Sequence, residues 1–129
     1  MAGNYIYYQG ERFQVEFYYD EYGNIPALEL IKALPINIKL KLGALVKLMA
    51  EEGQIHDENK FRIVDKNEKI YEFKPMHYRF FNFYFEGGKI IITNGYRKKT
   101  QKSDKKELAK SIKMRYRYLE RNKRGVYYG

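Results

Sequence analysis

The sequence predicts an α+β domain in which a small antiparallel β-sheet follows a helix hairpin and precedes a single helix. Three observations predict this arrangement. Apolar residues recur at helical spacing from Pro35 to Glu52, two strands rich in aromatic and β-branched residues meet at Gly87-Gly88, and a second helical pattern runs from Ser103 to Glu120. The length of 129 residues fits one domain spanning residues 1–129.

Two consecutive segments predict the helix hairpin. A short helix covers Ile25 to Leu34, with Asn24 as its N-terminal cap. A longer helix covers Pro35 to Glu52, and Gly53 suits the left-handed position that ends a helix. The predicted buried face of this longer helix consists of Ile38, Leu42, Leu45 and Met49, widened by Val46 and Leu48.

Short segments of alternating or β-branched sequence predict the strands. Arg12 to Tyr19 alternates apolar and polar residues, which indicates a half-buried strand. The other predicted strands are Lys60 to Val64, Ile70 to Phe73, Tyr78 to Phe85 and Lys89 to Tyr96. The final helix is predicted to begin with Ser103 as its N-cap and to bury a seam of Leu108, Ile112, Tyr116 and Leu119. Residues 1–11 and 121–129 are predicted to be flexible.

The Gly87-Gly88 turn predicts how the last two strands pair. A two-residue loop sets Glu86 opposite Lys89 at the turn and Arg79 opposite Tyr96 at the open end. Further cations surround that open end: Lys74 and His77 precede the hairpin, and Arg97, Lys98, Lys99 and Lys102 follow it. We therefore predict a polyanion-binding site there, which Arg62 of a neighbouring strand can join.

Composition narrows the class of protein. The net charge of +9 favours phosphate-bearing partners, although a solvated basic surface is the alternative interpretation. The chain has no cysteine and two histidines, so neither a disulfide nor a structural zinc site is predicted. No apolar run approaches the ~20 residues that span a bilayer, and the first residues do not resemble a signal peptide. A cytoplasmic protein without a cofactor or a membrane partner is predicted.

The segment from Tyr71 to Arg121, with its Asn94-Gly95-Tyr96-Arg97-Lys98-Lys99-Thr100-Gln101-Lys102 sequence after a strand, resembles the RelE/ParE toxin superfamily. Within it, the segment is most similar to the phage-derived HigB-like branch. The resemblance implies a RelE-like fold and a type II toxin–antitoxin toxin, a ribosome-dependent, metal-independent mRNA endoribonuclease that blocks translation. The implied partners are a helix-turn-helix antitoxin, the ribosome and mRNA.

Four residues are candidates for catalysis by the 2′-OH of the RNA itself. Arg79 would stabilise the charge that develops on the phosphate, and Tyr96 would stack on a base or orient the phosphate. Lys98 would contact the scissile phosphate, and Lys74 would lower the pKa of the 2′-OH or act as a base. The candidate RNA-binding residues are Arg62, His77, Arg97, Lys99 and Lys102.

Three of the candidates have a structural alternative. Arg79 can form a salt bridge at a sheet edge, Tyr96 can be a half-buried core aromatic, and His77 can be an ordinary loop histidine. The branch often has histidine where this chain has Asn94, phenylalanine at Tyr96 and arginine at Lys74, which leaves the general acid and base open. The functional alternative is a non-nuclease binding protein of the same fold, such as a gyrase-inhibiting toxin or an inactive phage relative.

Overall fold

The computed structural model describes residues 5–102 and 104–129, which form an α+β fold with a helix hairpin and a C-terminal helix, as predicted. The elements are β1 (Ile6–Gln9), β2 (Gln14–Phe17), α1 (Pro26–Lys32), α2 (Ile36–Glu52), β3 (Phe61–Asp65), β4 (Ile70–Phe73), β5 (Tyr78–Phe85), β6 (Lys89–Arg97) and α3 (Lys105–Lys123). The strands form one sheet in the order β1-β2-β6-β5-β4-β3.

The sheet is mixed, not wholly antiparallel as predicted. β2 and β6 run parallel, and the other neighbouring strands run antiparallel. A parallel pair needs a long crossover, which the helix hairpin and three strands between β2 and β6 provide. β2 is also an inner strand in which Val15, Glu16 and Phe17 are all buried, so the prediction of a half-buried strand is wrong.

The loop between β5 and β6 is one residue longer than predicted. Phe85 pairs with Lys89, so Glu86 joins the two glycines in a three-residue loop. Both Gly87 (φ 83°) and Gly88 (φ 72°) occupy the left-handed region that favours glycine. The predicted pairing next to the turn is therefore wrong by one residue.

A β-bulge in the middle of the hairpin restores the predicted pairing at its open end. The register shifts where Thr93 and Asn94 of β6 lie opposite the single residue Phe81 of β5. Beyond the bulge, Arg79 pairs with Tyr96 as predicted. The extra residue in the loop and the extra residue in β6 thus offset each other.

The helix hairpin largely follows its prediction. The predicted buried face of α2 is buried except for Leu48, and Gly53 ends the helix with φ 84°. Asn24 does not cap α1: Ile25 occupies the N-cap position, while Asn24 donates its N–H and side-chain amide to Asp20. An Asx-type turn therefore uses the residue that looked like a helix cap.

The C-terminal helix differs from its prediction at its N-cap and in its buried seam. Asp104 is the N-cap and accepts the N–H of Glu107 at 3.0 Å, while the predicted cap, Ser103, lies outside the described residues. Tyr118 is buried and Tyr116 is exposed, so Tyr116 does not belong to the seam. Residues two apart on a helix point in widely different directions, and only one of the two tyrosines can face the sheet.

Both chain ends that were predicted to be flexible pack against the sheet where the structure describes them. Residues 6–9 form β1. At the other end, Arg121 and Tyr127 are buried, and the hydroxyl of Tyr19 donates to the backbone carbonyl of Tyr127. The hydroxyl of Tyr128 donates to the buried carboxylate of Glu16 at 2.6 Å. These contacts join the last residues to β2.

Candidate functional site

One face of the sheet carries the charged residues at the open end of the hairpin. Cross-strand pairing of Arg62 with Glu72, and of Glu72 with Phe81, places these three side chains in one row. The ring of Tyr96 lies on the same face, with its centroid 5.5 Å from that of Phe81. We call Arg62, Lys74, Arg79 and Lys98 the cation cluster, because all four charges interact at this end of the face.

Arg79 is held by backbone carbonyls and not by a carboxylate. Its Nη1 donates to the carbonyl oxygens of Met76 and Tyr78, each at 2.8 Å. Met76 has φ 54°, a left-handed conformation in the loop that supplies one of these acceptors. Within residues 5–102 and 104–129, Arg79 forms no ion pair, and its buried Nε has no hydrogen-bond partner. The salt-bridge alternative for Arg79 therefore finds no support in the described residues.

Glu72 provides the negative charge beneath the cation cluster. Its side chain is 1% exposed, and its Oε2 accepts the Nε–H of Arg62 at 2.7 Å. The other carboxylate oxygen has no hydrogen-bond partner among the described residues. An ion pair of this kind orients the Arg62 side chain and partly offsets the repulsion among the cations.

Lys74 directly follows β4 and lies close to the other residues of the cation cluster. Its Nζ donates to the carbonyl oxygen of Glu58 at 3.0 Å. Partial burial lowers the pKa of Lys74, and repulsion by Arg79 and Arg62 lowers it further. The lysine is thus easier to deprotonate than a free one, which is the direction that a base requires.

Tyr96 is half-buried, and its hydroxyl remains protonated at neutral pH. Burial is the main cause that raises its pKa, and the carboxylate of Glu72 adds to it. The hydroxyl oxygen accepts the backbone N–H of Asp104 at 3.4 Å. Its own proton is therefore available to donate to an anion, whereas the phenol is a poor base.

Two grooves lie at this end of the domain. The first, about 420 Å³, is lined by Arg79 and Lys98 together with His77 and Lys99. The second, about 520 Å³, is lined by Tyr96 and by Arg97, Lys99 and Lys102. Lys99 borders both grooves, so the segment after β6 separates them. Arg79 and Tyr96, although paired in the sheet, thus open into neighbouring grooves.

The structure separates the predicted residues by position. The first groove brings together Arg79, Lys98, Lys99 and His77, and the second brings together Tyr96, Arg97, Lys99 and Lys102. Arg62 and Lys74 line neither groove and lie beside them. His77 is an exposed loop residue whose backbone carbonyl accepts the N–H of Lys98 at 2.6 Å.

Asn94 has a structural role that its position in the sequence does not indicate. Its side-chain amide donates to the carbonyl oxygen and to Oε1 of Glu107, at 3.0 and 3.1 Å. Next to it, the hydroxyl of Thr93 lies 2.7 Å from that of Ser111. The bulge turns both of these β6 residues towards α3. In the sequence, the only sign of this polar contact is that β6 contains Thr93 and Asn94 and that the predicted helix contains Glu107 and Ser111.

Gly95 allows β5 and β6 to approach beside this contact. A Cβ atom added at Gly95 would lie 2.5 Å from Cε1 of Phe80, which is too close for any side chain. Phe80 itself is fully buried and cannot move aside. Glycine is therefore required next to Tyr96.

Two properties concern the described residues as a whole. None of their helices is long and apolar enough to cross a membrane. In the same residues, no group of three or more histidine, aspartate or glutamate side chains is placed to hold a metal ion.

Comparison with known proteins gives a family match. The model of the family described as "Phage derived protein Gp49-like (DUF891)" matches residues 29–116, which is more than half of the chain. The matched region runs from α1 into α3 and contains all of the candidate site residues. No curated protein matches the chain.

Proposed function

Because the chain belongs to the Gp49-like family of phage-derived proteins, we propose that it is the toxin of a type II toxin–antitoxin pair and an endoribonuclease. Its substrate is mRNA positioned by the ribosome, and its cleavage blocks translation. The observation that carries this proposal is the state of Arg79. Its guanidinium borders a groove with lysines, is held by carbonyls through Nη1, and forms no ion pair with the described residues.

The reaction uses the 2′-OH of the RNA as the nucleophile. The 2′ oxygen bonds to the adjacent phosphorus, the bond to the 5′ oxygen breaks, and the products are a 2′,3′-cyclic phosphate and a 5′-OH. One proton leaves the 2′-OH and one proton reaches the 5′ oxygen, so the step is balanced without an external reagent. Negative charge grows on the non-bridging oxygens, where Arg79 and Lys98 stabilise it.

Lys74 and Tyr96 complete the proposed chemistry. The lowered pKa of Lys74 favours a role as proton acceptor. While it is charged, Lys74 would instead lower the pKa of the 2′-OH. The protonated phenol of Tyr96 donates to a phosphate oxygen, and its ring is available for stacking on a base. Positioning of the message by the ribosome contributes further to the rate.

The cations that line the two grooves bind the RNA backbone. Arg97, Lys99 and Lys102 line the second groove with Tyr96, and His77 lines the first. Contacts of this kind fix the register of the backbone and do not read the bases. We assign the ribosome and mRNA as partners, a helix-turn-helix antitoxin as the inhibitor, and the cytoplasm as the location. The exposed cations of α3 (Lys106, Lys110, Lys113 and Arg117) would meet ribosomal RNA phosphates or an acidic antitoxin.

Expression in bacteria with and without Arg79→Ala tests the proposal. The wild-type protein should slow growth and cut a translated message to leave 5′-OH ends, and Arg79→Ala should do neither. Arg124→Ala is the matched control, since Arg124 is an exposed arginine outside both grooves. A wild-type protein that neither slows growth nor cuts translated mRNA would contradict the proposal.

One observation favours a second function, that of a non-nuclease binding protein. The position where the HigB-like branch often has histidine is Asn94, which is buried and bonded to Glu107, and Lys74 donates to a backbone carbonyl. The proton-transfer groups are therefore few. Inhibition of purified DNA gyrase, with translated message left intact, would favour a gyrase-inhibiting toxin. Inactivity in both assays would favour an inactive relative.

A further inference from the structure

Glu72 is a buried titratable residue that the proposed reaction does not use. It lies in β4, and 1% of its side chain is exposed. Its Oε2 accepts the Nε–H of Arg62 at 2.7 Å, whereas its Oε1 is buried and has no hydrogen-bond partner among the described residues. A buried charge with incomplete pairing often leaves a fold less stable than an apolar residue of similar volume would. The stability of the sheet therefore gives no reason for a carboxylate here.

The pairing of the strands places Glu72 among the residues of the candidate site. Glu72 lies opposite Arg62 of β3 and opposite Phe81 of β5. Residues that are directly opposite in antiparallel strands share one face of the sheet. Arg79 precedes Phe81 by two residues and pairs with Tyr96, so both belong to that face as well. Glu72 is thus a negative charge on the face that carries the cation cluster.

Lys74 is the member of the cation cluster on which Glu72 acts in opposition to the other cations. Partial burial lowers its pKa, and repulsion by Arg79, Arg62 and Lys98 lowers it further. These three cations come from β5, from β3 and from the segment after β6. Glu72, from the strand that Lys74 follows, raises the same pKa by attraction. The charge of Lys74 therefore depends on a balance between one carboxylate and three cations.

Tyr96 is the second residue of the site on which Glu72 acts. Burial raises the pKa of its phenol, the backbone N–H of Asp104 lowers it, and the carboxylate of Glu72 raises it again. Arg79 acts in the opposite direction to Glu72, and the charge of Asp104 acts in the same direction. Glu72 therefore favours the protonated form of both Lys74 and Tyr96, the two residues that complete the proposed chemistry.

We propose that Glu72 is a positioning residue: its buried carboxylate, without contacting the RNA, holds the cation cluster in the arrangement that the phosphate requires. The assignment rests on the proposed function and deepens it, because Glu72 lines neither groove and acts through Arg62 and Lys74. Like charges at one end of a sheet repel one another, and a buried anion among them offsets this repulsion where solvent screens it least. Because the same carboxylate acts on Lys74 and Tyr96, it also sets the pH range in which cleavage occurs.

Glu72→Gln tests this role, since it removes the charge but keeps the volume and an acceptor for Arg62. In cleavage of mRNA on the ribosome, kcat should fall by about 10–100-fold because the cations move out of place. KM should stay the same or decrease, because the variant carries one more positive charge. The inflection of kcat with pH should move to lower pH, whether Lys74 acts as a base or as a cation, since it loses its proton more readily without Glu72. A residue with only a structural role would change none of these quantities per folded molecule.

Two other glutamates provide matched controls. Glu16→Gln removes a carboxylate of β2 that is also 1% exposed, with Lys89 as its ion-pair partner at 3.8 Å. Glu120→Gln removes a carboxylate of α3 that is 73% exposed and lies 3.9 Å from Arg124. The first variant reproduces the loss of a buried charge, and the second reproduces the change in net charge. After correction for the folded fraction from urea unfolding, both should retain the kcat and the pH profile of the wild type.

Glu72→Asp separates the charge of the carboxylate from its position. It keeps the carboxylate but shortens the side chain by one methylene, so the hydrogen bond from Arg62 at 2.7 Å is lost or lengthened. The pH inflection should therefore stay near that of the wild type, while kcat should fall about tenfold. This variant also keeps the proposal testable if Glu72→Gln does not fold.

Side-chain NMR titration of Lys74 tests the electrostatic part of the proposal without any substrate. The pKa of Lys74 should be lower in Glu72→Gln than in the wild type, and it should be the same as in the wild type in Glu16→Gln and Glu120→Gln. Because no cleavage is measured, this result is independent of the proposed ribonuclease activity. A wild type that cuts no mRNA refutes the proposed function, whereas an unchanged pKa of Lys74 in folded Glu72→Gln refutes the role of Glu72.

Two further results would overturn the proposal. Wild-type kcat in folded Glu72→Gln and Glu72→Asp would show that the carboxylate has no part in placing the cations. An equal loss of kcat per folded molecule in Glu16→Gln would show that any buried carboxylate of the sheet has the same effect, which would leave Glu72 with a structural role alone.

Discussion

Two arginines of this domain differ in what surrounds their guanidinium groups. Arg121 of α3 is 6% exposed, donates to the carbonyl of Tyr19 at 2.8 Å and lies 4.7 Å from the ring centre of Tyr127. Arg79 of β5 also donates to carbonyls, but its buried Nε has no hydrogen-bond partner among the described residues, and its groove contains lysines. One arginine is enclosed by aromatic rings, and the other borders a groove lined by lysines.

The difference is consistent with our proposal that arginine has a structural role at position 121 and a ligand-binding role at position 79. A guanidinium enclosed by aromatic rings and a carbonyl gains cation–π and hydrogen-bond energy within the fold. A guanidinium that borders a groove without an ion pair to the described residues can form charge-assisted hydrogen bonds with an anion such as a phosphate. The groups that surround each guanidinium, and not the residue type, therefore distinguish Arg121 from Arg79.

The largest effect is expected at Arg79. Substitution by alanine should reduce cleavage of translated mRNA by a factor of about 100–1,000, because a donor aimed at the developing charge is lost. The free energy of unfolding should fall by only about 1 kcal/mol, the usual contribution of a partly exposed hydrogen bond. Primer extension and urea unfolding measure the two quantities. A large loss of stability with Arg79→Ala would erase the contrast with Arg121.

Arg121→Ala should have the reverse profile. We expect the free energy of unfolding to fall by about 2–3 kcal/mol, since a buried hydrogen bond and the stacking on three tyrosines disappear. Urea unfolding checks the value, with Arg124→Ala as an exposed control that should change it by less than about 0.5 kcal/mol. Activity per folded molecule should stay the same; a loss at full stability would place Arg121 in the function instead.

Tyr96 should show a smaller, two-step effect. Tyr96→Phe removes the phenolic donor and should reduce cleavage about tenfold. Tyr96→Ala also removes the ring and should weaken RNA binding by a further ~1–3 kcal/mol if a base stacks there. Single-turnover cleavage and RNA titration separate the two steps. Equal behaviour of both variants and the wild type would leave Tyr96 with a packing role against Phe81.

The smallest effect concerns the charge of Lys74. Its pKa in the folded protein should lie below 10.5, and Arg79→Gln should raise that pKa because one repelling charge is gone. A lysine with a lowered folded pKa disfavours folding while it is charged, and this penalty disappears as pH rises through the folded pKa towards the unfolded value. Side-chain NMR titration checks the pKa. A pKa of Lys74 at or above 10.5 would contradict this interpretation.

Local patterns of the sequence were sufficient to predict much of the fold. The buried face of α2 follows from spacings of three and four, and Gly53 ends the helix because its φ is positive. The pairing of Arg79 with Tyr96 was predicted correctly, although the two-residue loop from which it was deduced was wrong. The loop has three residues, and the extra residue of the bulge in β6 offsets the extra loop residue.

Contacts between distant residues could not be predicted in the same way. The hydroxyl of Tyr127 accepts the N–H of Tyr19, 108 positions earlier in the chain, and no local pattern indicates such a pair. The choice of Tyr118 over Tyr116 likewise depends on which tyrosine meets the sheet. For the site, the residue types were predictable, but the separation of Arg79 and Tyr96 into two grooves depends on the path of the chain after β6.

The compensation within the β5–β6 hairpin has a consequence for variation in chain length. Deletion of one loop residue would leave a two-residue loop that still joins Phe85 to Lys89, so Tyr96 would stay opposite Arg79. Deletion of one bulge residue would also keep that pair, but it would remove Thr93 or Asn94 and with it one of the two polar contacts between β6 and α3. Loop length should therefore vary freely among proteins of this shape, whereas the bulge should be kept wherever the helix contact is kept.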